Sequence, residues 1–200
     1  MNYSSLNLKN KNILITGGSG FLGSQIVEAF LGEDANVYII DLKKPFQNNK
    51  AKFFKANITI EKELKKIKSY FKKRKMRIDV LINNAAVDYP PQKSKKNKYK
   101  LETFSNKLWD KDLSVSLKGS YLCTKIFGAY MSKFNKGVIL NISSDLGIIA
   151  PDQRIYKNEN FIKPITYSVV KHGIIGLTKY TASYWGKNRI RCNAIAPGGI

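Results

Sequence analysis

The stretch from Ile13 to Gly23 constrains the fold more than any other part of the sequence. An apolar segment leads directly through closely spaced glycines into a helical pattern. A strand that turns through glycines into a helix brings backbone amides and a positive helix N-terminus close to a pyrophosphate. The pattern therefore predicts a dinucleotide-binding turn. We expect the cofactor to contact Gly17, Ser19, Gly20, Phe21, Leu22 and Gly23.

An acidic residue closes the next predicted strand. Asp41 follows Gly23 by 18 residues, at the position where a carboxylate can accept hydrogen bonds from both hydroxyls of an adenosine ribose. The same carboxylate would repel a 2′-phosphate, which favours NAD over NADP. Lys43 and Lys44 come next and soften that preference. The alternative is that Asp41 is an ordinary turn residue at a strand end.

Short apolar segments alternate with longer amphipathic segments along the chain, which is typical of parallel strands joined by crossover helices. Because 200 residues with 43% hydrophobic content suffice for one sizeable core, we predict a single α/β domain with a doubly wound sheet. The predicted strands are Asn12–Thr16, Asn36–Asp41, Lys52–Ala56, Asp79–Asn83, Gly137–Ser143 and Arg189–Ile195. The predicted helices are Gly20–Leu31, Glu61–Lys75, Lys107–Phe134 and Pro164–Gly186.

Two segments interrupt the alternation, Asp88–Lys100 and Ile148–Lys163. Both follow predicted strands at the carboxyl edge of the sheet, where open α/β sheets hold their ligands. They are candidate substrate loops. The alternative is that they are surface insertions that do not contact a ligand.

The charge of the chain is strongly positive, at +21 from 35 basic and 14 acidic residues. Clustered basic residues bind phosphate backbones, so a nucleic-acid-binding protein is one hypothesis. However, only five of the basic residues are arginine, and the lysine-rich run from Glu61 to Arg77 has apolar residues at helical spacing. We interpret the lysines as solvated surface and expect no nucleic-acid partner.

Several other classes of protein are disfavoured by the sequence. It contains no apolar run of about 18 residues and no signal-peptide pattern in residues 1–12, so we expect a cytoplasmic protein that does not bind membranes. Cys123 and Cys192 are then expected to be reduced core thiols. With His172 as the single histidine, we expect no metal site.

Further motifs follow the glycine turn in an order that resembles the short-chain dehydrogenase/reductase family, from about Asn12 to Ile200. These motifs are Asn57-Ile58-Thr59, Asn83-Asn84-Ala85-Ala86, Ser144 at the end of a strand, Tyr167 with Lys171, and Asn193 to Gly198. A Tyr and a Lys four apart are common by chance, because 11 tyrosines and 30 lysines in 200 residues predict about 1.7 such pairs. Three pairs occur, and only Tyr167 and Lys171 lie between the serine and the Pro-Gly turn.

The residue types indicate acid–base chemistry. Tyr167 and Lys171 are four apart and share a helix face, so the ammonium can stabilise a phenolate that would otherwise be a weak base at neutral pH. Tyr167 would transfer a proton to or from the substrate oxygen, and Ser144 would hydrogen-bond that oxygen. Lys171 would also hold the nicotinamide ribose.

The resemblance implies a Rossmann-type three-layer α/β/α fold with strand order 3-2-1-4-5-6. It also implies one NAD(P)-binding domain over residues 1–200 that is incomplete at its C-terminus, without the usual last strand and substrate lid. We therefore expect weak or no activity from these 200 residues alone, and a homodimer or homotetramer for the full-length protein. The further cofactor contacts that it implies are Asn57, Ile58, Asn84, Ala85, Ala86, Tyr167, Lys171, Pro197, Gly198 and Ile200.

Three departures from the family pattern affect the functional hypothesis. The glycine spacing resembles the extended branch of the family, and Ser116 stands where the family has a catalytic Asn that supports a proton relay. The gap of 23 residues between Ser144 and Tyr167 is unusually long. That gap resembles the oxidoreductases of flagellin-modification and nonulosonic acid pathways, which suggests a sugar-derived substrate, with Lys93–Lys100 near enough to meet a phosphate.

The favoured hypothesis is an enzyme that transfers hydride between NAD(H) and the alcohol or carbonyl group of a small molecule, such as a sugar or sugar derivative. One alternative is a catalytically silent dinucleotide-binding protein, which the Ser116 replacement would explain. Another alternative is a sugar-nucleotide epimerase or dehydratase of the extended branch, which the glycine spacing would explain.

Overall fold

The computed structural model describes residues 8–45, 50–87, 99–155 and 162–198, and its framework is one parallel sheet. Six strands form the sheet in the order β3-β2-β1-β4-β5-β6. The strands are β1 (Asn12–Thr16), β2 (Asn36–Asp41), β3 (Lys52–Lys55), β4 (Val80–Asn83), β5 (Gly137–Ile142) and β6 (Ile190–Ile195). Every pairing between neighbours is parallel, which confirms the predicted doubly wound Rossmann-type order.

Four long helices connect the strands. They are α1 (Phe21–Gly32), α2 (Glu61–Lys73), the composite helix α3 (residues 106–134) and α4 (Ile165–Trp185). Each lies within one or two residues of its predicted bounds. The difference is inside α3, where π-helical turns occupy Leu113–Lys118 and Thr124–Gly128. The 3.6-residue apolar period alone predicts a regular α-helix there.

The helices cover both faces of the sheet, giving the three predicted layers. On one face, α1 contributes Val27 to a cluster with Ile13, Ile15 and Ile39 of the central strands. On the other face, side chains of α2 and α3 pack on the sheet, and Trp185 at the end of α4 packs against the same cluster. Both cores consist of branched aliphatic and aromatic side chains that are almost fully removed from water.

Helix α2 shows why the charge of the chain does not require a nucleic-acid partner. Leu64, Ile67 and Phe71 recur at spacings of three and four and are all buried, so the lysines between them face solvent. Glu61 in the first turn makes ion pairs with Lys65 at 2.8 Å and with Lys125 of α3 at 3.3 Å. This arrangement confirms the interpretation of the run as an amphipathic helix.

A buried polar network fixes α3 and α4 against the middle of the sheet. The Asn83 amide donates to Thr124 Oγ1 at 3.0 Å and to Asn141 Oδ1 at 2.8 Å. The Asn141 amide donates in turn to Thr178 Oγ1 of α4 at 2.8 Å. Because buried amides must be hydrogen-bonded, the network specifies how β4, β5 and both helices align.

Both cysteines lie in the core, as predicted. Cys123 and Cys192 are free thiols that are nearly inaccessible to solvent. Burial raises the pKa of Cys192 to about 11 despite a hydrogen bond from Asn141 that lowers it, and burial raises the pKa of Cys123 further. Both thiols are therefore protonated and unreactive at neutral pH. None of the helices within the described ranges is long and apolar enough to cross a bilayer.

Candidate active site

An open cleft of about 830 Å³ lies at the carboxyl edge of the sheet, above the point where β1 and β4 are neighbours. The chain moves outward in opposite directions from these two strands, and such a switch point is the usual ligand site of an open α/β sheet. Predicted residues that line the cleft are Gly17, Ser19, Gly20, Phe21, Leu22, Gly23, Asp41, Asn57, Ile58, Asn84, Ala85, Ala86, Ser144, Tyr167, Lys171, Pro197 and Gly198. Of the other two, Ser116 lies beside the cleft, and Ile200 lies outside the described residues.

The glycine turn brings the start of α1 unusually close to β1. Gly17 has a left-handed φ of +67°, which side chains rarely tolerate. A Cβ atom at Gly23 would lie 2.1 Å from the Gly17 carbonyl oxygen, so only glycine permits this contact. No side chain caps the first turn of α1, and no acidic residue lies in it. The amides and dipole at this helix end therefore suit an anionic group.

The end of β4 is fastened to the same turn. The Thr16 hydroxyl accepts hydrogen bonds from the backbone N–H groups of Asn84 and Ala85, both at 3.1 Å. The Asn84 amide donates to the carbonyl oxygens of Thr16 and Gly17, also at 3.1 Å. Asn84 and Ala85 therefore form a fixed wall of the cleft beside the glycines.

Asp41 stands at the end of β2 with both carboxylate oxygens directed at backbone amides. Oδ2 accepts from the Ser19 N–H at 3.0 Å, and Oδ1 accepts from the N–H groups of Leu42 at 2.7 Å and Lys43 at 3.3 Å. The residue thus organises the strand end and also joins it to the glycine turn. A carboxylate has about four acceptor sites, so these three bonds leave about one site for a ribose hydroxyl.

Asn57 and Ile58 form the wall opposite the glycine turn. Asn57 Oδ1 accepts from the N–H and the hydroxyl of Thr59, at 3.0 and 2.9 Å, while its own N–H donates to Glu63 at 2.6 Å. Ile58 is 6% exposed and packs against Gly119 of α3, where a Cβ would lie 2.5 Å from the Ile58 side chain. This end of the cleft is apolar enough for a flat base, with a polar rim.

Side chains from β5 and α4 meet at the other end of the cleft. Lys171 is 6% exposed as a residue, and its ammonium donates to the Ile142 carbonyl at 2.9 Å. The Ser143 hydroxyl donates to the Lys171 carbonyl at 2.9 Å. These bonds hold α4 against the end of β5. They place Ser144, Tyr167 and Lys171 on one surface, with Lys171 Nζ 5.5 Å from the centroid of the Tyr167 ring.

Ser144 has a partner that the sequence motifs did not indicate. Its hydroxyl donates to the Asp145 carboxylate at 2.7 Å and accepts from the Leu146 N–H at 3.3 Å. The backbone N–H of Asp145 bonds to the Pro197 carbonyl at 2.9 Å. The turn after β5 and the turn after β6 are thereby joined, with Ser144 between them.

Ser116 lies in a π-helical turn of α3 and is 4% exposed. Its hydroxyl accepts a hydrogen bond from the Val87 N–H at 3.0 Å, and its carbonyl accepts one from the Ser120 hydroxyl at 2.8 Å. It lines a separate cavity of about 10 Å³ together with Asp112, Tyr167 and Lys171. That space suits about one water molecule.

Motifs alone did not identify every residue of the cleft. The additional lining residues are Ile40, Leu42, Lys43, Ala56, Val87, Lys111, Val115, Ile142 and Ser143. Most of them are sequence neighbours of motif residues, so their positions follow from the strand ends. Lys111 and Val115 are separated by one helical turn of α3 and face the cleft together. Their position could not be predicted because it depends on how α3 is oriented on the sheet.

The predicted substrate loops are only partly described. Most of Asp88–Lys100, including the four lysines at 93, 95, 96 and 98, lies outside the described residues. In Ile148–Lys163, the described parts are 148–155 and 162–163, and Ile148, Ile149 and Ile155 are exposed.

The cleft residues fit a nicotinamide dinucleotide. The apolar wall at Ile58 suits an adenine, Asp41 suits the adjacent ribose, and the uncapped turn at Gly20 suits the pyrophosphate. The nicotinamide end would then reach Tyr167 and Lys171. Among the described residues, no group of three or more His, Cys, Asp or Glu side chains could hold a metal ion.

Solved structures resemble this chain over nearly its whole length. A short chain dehydrogenase from Leptospira borgpetersenii with bound NAD+ is 33% identical, with a TM-score of 0.85 over 100% of this chain and 75% of that one. The structure of ElxO with NADP bound is 30% identical, with a TM-score of 0.79 over 94% of this chain and 73% of that one. Relatives thus bind either nicotinamide dinucleotide.

Sequence comparison gives the same assignment. The NAD-dependent glycerol dehydrogenase of Listeria innocua is 28% identical over 198 residues, which are 96% of this chain and 71% of that protein. The family profile described as short chain dehydrogenase matches residues 11–200. The chain therefore belongs to the short-chain dehydrogenase/reductase family of oxidoreductases.

Proposed function

We propose that this protein transfers hydride between NAD(H) and an alcohol or carbonyl group of a small hydroxylated molecule. The observation that carries the proposal is the convergence of Ser144, Tyr167 and Lys171 at one end of a cleft whose other end fits a dinucleotide. When bound, the nicotinamide supplies the hydride chemistry. The protein has to place the substrate, exclude water and move one proton.

Tyr167 is the proposed acid–base residue. In alcohol oxidation its phenolate oxygen accepts the hydroxyl proton of the substrate as the carbinol carbon loses hydride and the carbonyl forms. Lys171 favours the phenolate because a nearby ammonium stabilises the negative charge. The Ile142 carbonyl and the buried position of Lys171 hold that ammonium in place.

Ser144 is the proposed hydrogen-bond donor to the reacting oxygen. Its hydroxyl points to Asp145 at 2.7 Å and would turn toward the substrate oxygen when a substrate enters. A donor fixed where negative charge develops lowers the barrier because it needs little reorganisation. The joined turns after β5 and β6 supply that fixed position.

A polyol or sugar is the proposed substrate class. The relative that uses glycerol supports it, as does the resemblance of the long Ser144–Tyr167 segment to sugar-modifying oxidoreductases. The test is to follow nicotinamide reduction with NAD+ or NADP+ and a panel of polyols, hexoses and their phosphates. Net reduction with at least one of them is expected, at a low rate for these 200 residues alone. Tight dinucleotide binding without turnover of any alcohol or carbonyl would instead indicate a silent dinucleotide-binding protein.

The preference for NAD over NADP is proposed to depend on the charge of Asp41. Asp41→Asn keeps an oxygen that can accept from the Leu42 N–H but removes the negative charge that opposes a 2′-phosphate. We expect NADPH affinity relative to NADH to rise about tenfold or more, because a close like-charge contact costs about 1.4 kcal/mol or more. Calorimetric titration of both cofactors measures the ratio. An unchanged ratio would indicate that Asp41 is only a turn residue at the strand end and does not select the cofactor.

We also propose that the protein forms a homodimer or homotetramer through α3 and α4. Large aromatic side chains are exposed on these helices, including Tyr121 on α3 and the stacked pair Tyr180 and Tyr184 on α4. Mass measurement by light scattering is expected to give a multiple of the chain mass, and Tyr184→Asp is expected to shift the equilibrium toward the monomer. A parent protein that is monomeric at all concentrations would contradict this assembly.

A further inference from the structure

A second lysine contacts the ring of Tyr167. Lys163 Nζ lies 4.0 Å from the ring centroid, closer than the 5.5 Å of Lys171 Nζ. One lysine precedes Tyr167 by four residues and the other follows it by four. The ring therefore contacts two ammonium groups, and the family motif accounts for only one of them.

The backbone around Lys163 is fixed on both sides. The Gln153 side chain donates to the Lys163 carbonyl at 3.3 Å and accepts from the Lys163 N–H at 3.2 Å. Directly after Lys163, Pro164 is the N-cap residue of α4, and its carbonyl accepts from the Tyr167 N–H at 3.1 Å. Lys163 is thus held in a defined place next to the start of α4.

We propose that Lys163 is a positioning residue that stabilises the phenolate form of Tyr167. The proposal rests on the function proposed above for Tyr167. An ammonium about 4 Å from an aromatic ring is attracted to the ring itself and is attracted more strongly once the oxygen becomes negative.

The charges around Tyr167 explain why a second cation is useful. Asp112 shares the small cavity with Tyr167 and Lys171, and Asp145 receives the hydrogen bond of Ser144. The negative charge of both carboxylates disfavours ionisation of Tyr167 to a phenolate. The ammonium groups of Lys171 and Lys163, which both contact the ring, favour the phenolate, and Lys111 of α3 lines the same cleft.

The proposed step is a proton transfer coupled to hydride transfer. In alcohol oxidation the O–H bond of the substrate breaks, its proton forms a new bond to the phenolate oxygen, and the carbinol hydrogen leaves with two electrons to the oxidised nicotinamide. The carbonyl of the product forms from the remaining electrons. Because Lys163 stabilises the ionised form of Tyr167 more than the protonated form, its removal should raise the pH at which the reaction becomes half-maximal.

The expected shift is about half to one pH unit, as judged from a cation–π or charge contact in a half-buried position. At a pH below the midpoint, this corresponds to a fall of about three- to tenfold in the rate of alcohol oxidation. Lys163→Met should show the full shift because it keeps the length of the side chain and removes the charge. Lys163→Arg should restore most of it.

The direct experiment observes the ionisation of Tyr167 without any cofactor. Protein with tyrosine labelled at Cζ is titrated by NMR, and the Tyr167 resonance is identified by its disappearance in Tyr167→Phe. The titration midpoint of Lys163→Met is compared with those of the parent, of Lys163→Arg and of Lys179→Met, which removes an exposed lysine further along α4. Gln153→Ala provides a second variant, in which the lysine remains but its anchor is lost, so a smaller upward shift is expected.

The inference holds if the midpoint rises in Lys163→Met, returns in Lys163→Arg and does not move in Lys179→Met. It is overturned if Lys163→Met leaves the midpoint unchanged, or if Met and Arg shift it equally. Retained turnover in Tyr167→Phe would disprove the proposed function, whereas the titration reports on Lys163 independently of turnover.

Discussion

Tyr167→Phe is expected to lower the rate of hydride transfer about 10²- to 10⁴-fold, which is the usual contribution of a placed acid–base group. The substitution removes one hydroxyl from the cleft and keeps the ring that contacts Lys163 and Lys171. Dinucleotide affinity should therefore stay within a few-fold of the parent. Single-turnover measurement at saturating dinucleotide separates the two effects.

The chain contains a matched control for this substitution. Tyr121 also precedes a lysine by four residues, but that lysine is Lys125, which pairs with Glu61 on the outside of the domain. Tyr121→Phe should leave the rate unchanged. Equal rates for the parent and Tyr167→Phe would show that another group moves the proton.

Gly23→Ala is expected to weaken dinucleotide binding about 30-fold. The added methyl group would lie 2.1 Å from the Gly17 carbonyl oxygen, and both atoms belong to structure that cannot rotate away. The start of α1 must move from the glycine turn, so the helix N-terminus loses its alignment with the phosphates, a contribution of up to about 2 kcal/mol. Calorimetric titration with NADH measures the loss.

Gly32→Ala is the control because Gly32 lies at the other end of the same helix, and a Cβ there would meet nothing within 4 Å. It should bind NADH like the parent, or become slightly more stable because alanine favours helix. Equal NADH affinities for Gly23→Ala and Gly32→Ala would show that the glycine turn does not bind the phosphates.

The strands could be predicted because each is a short apolar run between turn residues, whereas the strand order was predicted from the resemblance to the family. Asn12–Thr16 and Asn36–Asp41 have the bounds that their patterns predict. The two ends of the cleft could be predicted because Gly17 and Tyr167 belong to motifs whose order is informative. In both cases the information is local, and the parallel topology then brings the strand ends together.

Features that depend on contacts between distant segments could not be predicted. The π-helical turn at Leu113–Lys118 is six residues long, which is too short for the apolar pattern to distinguish it from an α-helix. The Ser144–Asp145 hydrogen bond depends on one rotamer. The contact of Lys163 with Tyr167 depends on the hydrogen bond between the Gln153 side chain and the Lys163 backbone, and no sequence motif indicates that bond.

The proposed hydride transfer is tested most directly by following the transferred hydrogen. A substrate identified in the polyol and sugar panel is labelled with deuterium at the carbinol carbon and incubated with oxidised dinucleotide and the parent protein. If the protein transfers hydride as proposed, the deuterium appears on the reduced nicotinamide ring in proportion to the carbonyl product. Tyr167→Phe is expected to suppress both the labelled nicotinamide and the carbonyl product. Release of the deuterium to water, or its return to the sugar with no net reduction of nicotinamide, would contradict the proposed hydride transfer.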